Sequence, residues 1–219
     1  RGMELSLGVN RVLRFFGLGS AKLEESRQRL NDLKAQMNQL TSYPDKFNKY
    51  FADDGWLAHE SLDAEVMKAA VDQYETAGRE AGAQVLMDYF SAETLAGRLF
   101  FLNRTEGLRA RRRLIELAFE DYRAGRYHAA VPVLLIMIDG AVNDAVGKGF
   151  HAGGIELDVW DSMTTADGSI EIIKGIFQRS RKKTRTEVIE LPYRNGILHG
   201  MDLGYDNDFV AAKCWCFLF

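Results

Sequence analysis

The chain has 219 residues, 47% of them hydrophobic and 27% charged, with a formal net charge of −3. That length is enough to bury a sizeable core in one large or two modest domains, with the composition of an ordinary soluble globular protein. The charge excludes a global electrostatic pull toward nucleic acid, so any such binding must rest on a local patch. Glycine (20) far outnumbers proline (3), which suits helices separated by glycine stops. The expected fold class is all-α, with an N-terminal helical region over 1–104 and a helical bundle over 105–219.

Arg1-Gly2 ahead of Met3 reads as an appended stub. Nothing near the start joins a long apolar core to a small-residue cleavage site, and the longest apolar run, Ala129 to Ile138, is too short to span a bilayer. A cytoplasmic protein without membrane contact is expected. Cys214 and Cys216 stand two apart with no other cysteine, on different faces of a helix, which fits a reducing compartment and no metal site. Residues 4–18 carry Leu5, Val9, Val12, Leu13 and Phe16 at helical spacing. Ser20 then opens a polar helix with Leu23, Leu30 and Met37 seven apart and Leu33 and Leu40 between them. This is either a coiled-coil seam or a long helix laid along the rest of the protein. Glu24, Glu25 and Asp32 on its polar face argue against a basic membrane helix. Tyr43-Pro44 is expected to end the helix, and Asp53-Asp54-Gly55 to form a turn. His59 has no second histidine four residues later, which excludes a zinc-protease pair. Helices are expected near 62–76, 79–90 and 92–103.

From Glu106, Arg109, Arg111, Arg112 and Arg113 crowd the first turns of a helix that continues through Leu114, Leu117, Ala118 and Tyr122. Positive charge there opposes the macrodipole, so the cluster serves either an external anion or a salt-bridged solvated face. The next helix, about 126–147, holds the most apolar stretch, Val131 to Ile138, and should be central, with a kink at Pro132. Asp139 follows this run and needs a partner or the surface. Gly147 to Gly154 reads as a mobile loop and Trp160 as a core anchor. A helix from Ser169 to Gln178 precedes Arg179, Arg181, Lys182, Lys183 and Arg185, five basic residues in seven. They either form a solvated face or hold an RNA backbone. Thr184-x-x-Glu187 is expected to cap a short helical turn. Asn207 or Asp208 should cap the last helix, which reaches Phe219 without a polar finish. Either the chain continues or this end packs on a partner.

The stretch with most chemistry is Tyr193-Arg194-Asn195-Gly196-Ile197-Leu198-His199, directly after Pro192, which is suited to a first helical position. On that helix Asn195 and His199 share a face, and Arg194 and His199 lie roughly 140° apart. Imidazole can take a proton from a ribose 2′-OH and return one to a leaving oxygen near neutral pH. Guanidinium matches phosphate oxygens. Such a route uses no metal or cofactor. The same residues also serve as a surface Arg, a capping Asn and a core His.

Arg194-Asn195-x3-His199 resembles the R-x(4–6)-H motif of the HEPN superfamily. Gly125-Arg126-Tyr127-His128-Ala129-Ala130-Val131-Pro132, running on to Asp139-Gly140, is similar to the helix that precedes that motif in bacterial members. The resemblance covers about 106–219. It implies a dimerising HEPN-like bundle acting as an endoribonuclease in a toxin or antiphage setting, with a cognate inhibitor or regulatory partner. On it, His199 is general base and acid, Arg194 the phosphate clamp, Asn195 an orienting group, and Asp139 faces the motif helix to orient His199 or Arg194. Arg109, Arg111, Arg112, Arg113, Arg179, Arg181, Lys182, Lys183 and Arg185 are candidate RNA contacts. One departure is Met201, where some members carry Tyr. The alternatives are a catalytically silent module binding RNA, a nucleotide or a protein, and a structural adaptor using the 20–40 helix.

Overall fold

The computed structural model describes residues 20–59, 61–103, 106–146 and 169–219. The expected helix over 4–18, the Gly147–Gly154 loop and Trp160 lie outside them. Packing divides the chain between Ser42 and Tyr43 into two units, each taken by itself.

Helix α1 runs Ser20–Phe51. In its first part Arg29 pairs with Glu25 one turn earlier at 2.7 Å. Of the expected apolar seam, Leu30 is 57% exposed; the side chains of Leu23, Leu33, Met37 and Leu40 lie outside the description. The expected stop at Tyr43-Pro44 is corrected, because α1 continues through Pro44. An interior proline costs about 3 kcal/mol. Phe47 and Phe51, one turn apart beyond it, are fully buried with rings 5.0 Å apart. Burying each is worth about 1.5–3 kcal/mol, so together they offset the proline.

In the second unit a 3₁₀ turn, Ala52–Asp54, closes on Gly55, whose φ of 79° needs glycine. Asp63 caps α2 (Ala64–Ala77) by accepting from the Glu65 N–H. Helix α3 (Arg79–Tyr89) lies so close to it that a Cβ on Gly82 would stand 2.8 Å from the Ala70 carbonyl. Then come α4 (Ala92–Arg98) and a 3₁₀ stretch, Leu99–Asn103. The helix expected from Glu106 is split into α5 (Glu106–Arg109) and α6 (Arg112–Arg123). Apolar α7 (Tyr127–Val146) follows, and then α8 (Ser169–Gln178).

The segment after α8 is not a capped helical turn. Arg185–Val188 forms strand β1, which pairs in parallel with β2 (Asp202–Gly204). Thr186 and Val188 favour extended backbone, and the pairing gives the Arg185 and Ile189 N–H groups their acceptors at Met201 and Gly204. Gly204 permits the approach, since a Cβ there would overlap the Glu187 carbonyl. The crossover between the strands contains α9 (Arg194–Leu198), and α10 (Asp208–Leu218) closes the unit, capped by the Asn207 side chain on the Val210 N–H.

The core is built on α7 and α10. Val131, Leu134 and Leu135 face inward with Val210, Cys214 and Trp215, and the Trp215 ring meets Phe119 and Tyr122 of α6 edge-on. The division expected at 104/105 falls inside this unit, where Tyr122 donates to the Phe90 carbonyl at 2.8 Å and Arg98 lies over the Phe219 ring. The fold is all-α in class. No helix among the described residues is long and apolar enough to cross a membrane.

Candidate functional site

Helix α9 is a single turn rather than the longer helix expected from Pro192. Tyr193 precedes its first residue, and His199 already ends it. What fixes so short a helix is external. Gly200 adopts φ 67°, and the Met201 N–H returns to the Gly196 carbonyl at 2.7 Å, turning the chain into β2. Gly196 sits directly against the Asp202 carboxylate, leaving no room for a Cβ.

Arg194 leaves the first residue of α9 and reaches α7. Its guanidinium meets Asp139 Oδ2 at 2.7 Å, with side-chain exposures of 14% and 15%. The Asp139 that closes the apolar run thus finds a cation, and of the two partners expected for it, the structure pairs it with Arg194. A second guanidinium nitrogen donates to Asn195 Oδ1 at 2.9 Å, and Asn195 Nδ2 donates to the Gln178 carbonyl at the end of α8. Asn195 therefore ties α9 to α8 and holds the arginine, which in turn ties α9 to α7. His199 is exposed, and its ring makes no hydrogen bond or ion pair with any described residue. The motif splits by environment, with a fixed, shielded cation and an open imidazole.

The basic clusters also divide. Arg111 donates to Asp144 at 2.7 Å and to the Gly107 carbonyl, lying across Gly140. Arg112 meets Glu116 and Asn103, and Arg109 the Asn103 carbonyl at 3.3 Å. These three have partners within the protein, which offset positive charge near a helix start; Arg109, Arg112 and Arg113 are exposed. In the later run the Arg179 and Arg181 guanidiniums lie 4.9 and 5.0 Å from the centre of the Tyr193 ring, and Arg181 meets buried Asp202 at 3.3 Å. Arg185 pairs with Glu187 at 3.3 Å. Lys182 and Lys183 are exposed and make no such interaction among the described residues.

Three residues of this region escape a reading of the sequence for motifs: Gly196, Asp202 and Lys213. Lys213 stands alone in the otherwise apolar run Val210–Leu218, a signal present in the sequence itself. Only 3% of it is exposed, and its ammonium donates to the Glu190 carbonyl at 2.7 Å.

Burial lowers Lys213 from the ordinary 10.5 to about 8, against the pull of Glu190, Asp54 and Cys216 and with help from Arg79. Between these values the unfolded chain holds more protons than the folded one, so stability rises as pH climbs from about 8, by up to about 3 kcal/mol. Buried Cys216 is pushed up to about 12 and Cys214 is also raised, so above about pH 9 the unfolded chain loses thiol protons that the folded one keeps. Urea melts at pH 7 to 10 should show stability climbing to about pH 9 and then turning over. Lys213→Met should remove the climb and be at least as stable as the parent at pH 7.

No family model fits the chain, and no curated protein or solved structure matches it.

Proposed function

We propose that the chain is a metal-independent, HEPN-like endoribonuclease that works as a dimer, with Arg194 and His199 acting on the scissile phosphate in a toxin or defence setting. The observation that supports this most is the Asp139–Arg194–Asn195–Gln178 chain of interactions, which fixes a guanidinium one turn from an exposed imidazole. His199 takes the 2′-OH proton and then protonates the 5′ oxygen, while the arginine stabilises charge building on the phosphate. Arg194 and His199 diverge around α9, so a second copy placing its α9 alongside completes two shared clefts. The products then carry a 2′,3′-cyclic phosphate and a 5′-OH, and EDTA leaves the rate unchanged.

A second reading, a silent binding module, is favoured by the Asp139 carboxylate, which neutralises Arg194 and competes with phosphate for it. Expressing the protein with and without His199→Ala separates the two. Growth arrest with RNA carrying cyclic-phosphate ends only for the parent supports cleavage; intact RNA in both supports the silent module.

For RNA binding, Lys182 and Lys183 are the clean test, because Arg181 also shields Asp202. Replacing both by Gln should flatten the log–log salt dependence of RNA binding by about 0.7 for each phosphate no longer neutralised, and raise KM with kcat preserved. Unchanged affinity and slope would make them a solvated face.

A further inference from the structure

We propose that the cleft between the Ala52–Asp54 turn, β1 and α10 binds a small phosphorylated ligand, a phosphomonoester of mononucleotide size. The cavity has a volume of about 390 Å³, and Arg79, Arg179, Arg181, Arg185 and Lys213 all reach its wall. Neither Arg194 nor His199 lines it, so the site does not rest on the ribonuclease reading.

Two cations of this wall, Arg179 and Lys213, have no carboxylate within ion-pair distance among the described residues. The cleft also contains Asp53, Asp54 and Glu190, and three of its cations are paired, Arg79 with Asp54, Arg181 with Asp202 and Arg185 with Glu187. Asp54 is taken by Arg79, whose Nε donates to it at 2.6 Å, while Asp53 and Glu190 are exposed. Lys213 uses one of its three N–H groups on the Glu190 carbonyl, and no described carboxylate lies within ion-pair distance. Its nearest neighbours of other kinds are the Trp56 and Phe209 rings, 5.6 and 5.9 Å away. A buried ammonium with spare donors and no carboxylate within ion-pair distance is costly unless an anion completes it. Replacing so buried a cation by an apolar side chain would be the stable solution for a purely structural wall.

The geometry selects the anion. A phosphomonoester carries nearly two charges at neutral pH, facing the two cations without a carboxylate partner, Arg179 and Lys213, and three acceptor oxygens. An RNA phosphodiester carries one charge on a chain that runs over the surface, and does not reach a recessed lysine. Arg179 donates to the Tyr193 hydroxyl at 3.0 Å and Arg181 meets Asp202, so both guanidiniums are held before any ligand arrives, which lowers the ordering cost of binding. Ile189 and Leu191 supply apolar wall for the organic part, and the volume falls in the usual range for small-molecule sites.

Calorimetry and thermal melts of the full chain with adenosine 5′-monophosphate, adenosine and inorganic phosphate test this. Adenosine 5′-monophosphate should bind saturably, one per chain, and raise the melting temperature; adenosine should do neither, and inorganic phosphate should compete. Lys213→Met should weaken binding roughly tenfold or more, and so should Arg185→Gln, an exposed position whose replacement leaves the core untouched. The proposal is overturned by absence of saturable binding at millimolar concentration, by equal binding of adenosine, by failure of phosphate to compete, or by parental affinity in both variants. Displacement of the nucleotide by an equimolar short RNA with a 5′-OH end would assign the cleft to backbone phosphodiesters and overturn it equally.

Discussion

His199→Ala is expected to reduce RNA cleavage by about 10²–10⁴-fold, the usual contribution of general acid–base catalysis, with the melting temperature unchanged. The stability half of that expectation follows from exposure, since the ring touches no described residue through a hydrogen bond or ion pair. Arg194→Ala should remove about 10²–10³-fold by taking the guanidinium away from the phosphate, but it also strips Asp139 of its cation and so lowers stability. The two variants therefore separate chemistry from folding. Purified protein, a fluorescent oligoribonucleotide and a parallel melt suffice. Cleavage by His199→Ala at the parental rate would end the proposed mechanism, and a large loss of stability in that variant would show that the imidazole serves the fold.

The second large effect concerns the pair that holds the motif. Asp139→Ala leaves a mostly buried guanidinium facing α7 without its carboxylate, at an expected cost of about 3–5 kcal/mol. Replacing both members, as Asp139→Leu with Arg194→Met, should recover most of that loss, because two apolar side chains need no counter-charge. Urea denaturation of the two variants beside the parent measures the difference. If Asp139→Ala is as stable as the parent, the ion pair is not holding α9 against α7.

Legibility in the sequence followed the range of the forces involved. Helix α7 could be read because Val131 to Ile138 is a local run, and the Asn207 cap because a cap and its N–H are three residues apart. The cost of a carboxylate after so apolar a run asked only for a partner or the surface at Asp139, and its facing the motif helix was expected from the HEPN resemblance. Local rules failed where a distant partner decided the outcome. Pro44 ends helices on propensity, but Phe47 and Phe51 carry it into the core. Thr184-x-x-Glu187 has the spacing of a capping box, but β2, formed after the motif, offers its backbone to the same residues. Basic residues alike in sequence parted in space, with Arg111 going to Asp144, Arg181 to Asp202, and Lys182 and Lys183 to solvent.

The clasp that closes α9 is slight. β1 is four residues long and exposed along its length, and β2 is three. Elements with so little buried area open at a free energy far below that of the whole domain. The turn that carries Arg194 and His199 is thus hung on a latch that can breathe while α7 and α10 stay shut. The amides of Arg185 and Ile189 should exchange with solvent deuterium well ahead of those in α7, the clasp opening without melting the body that carries it.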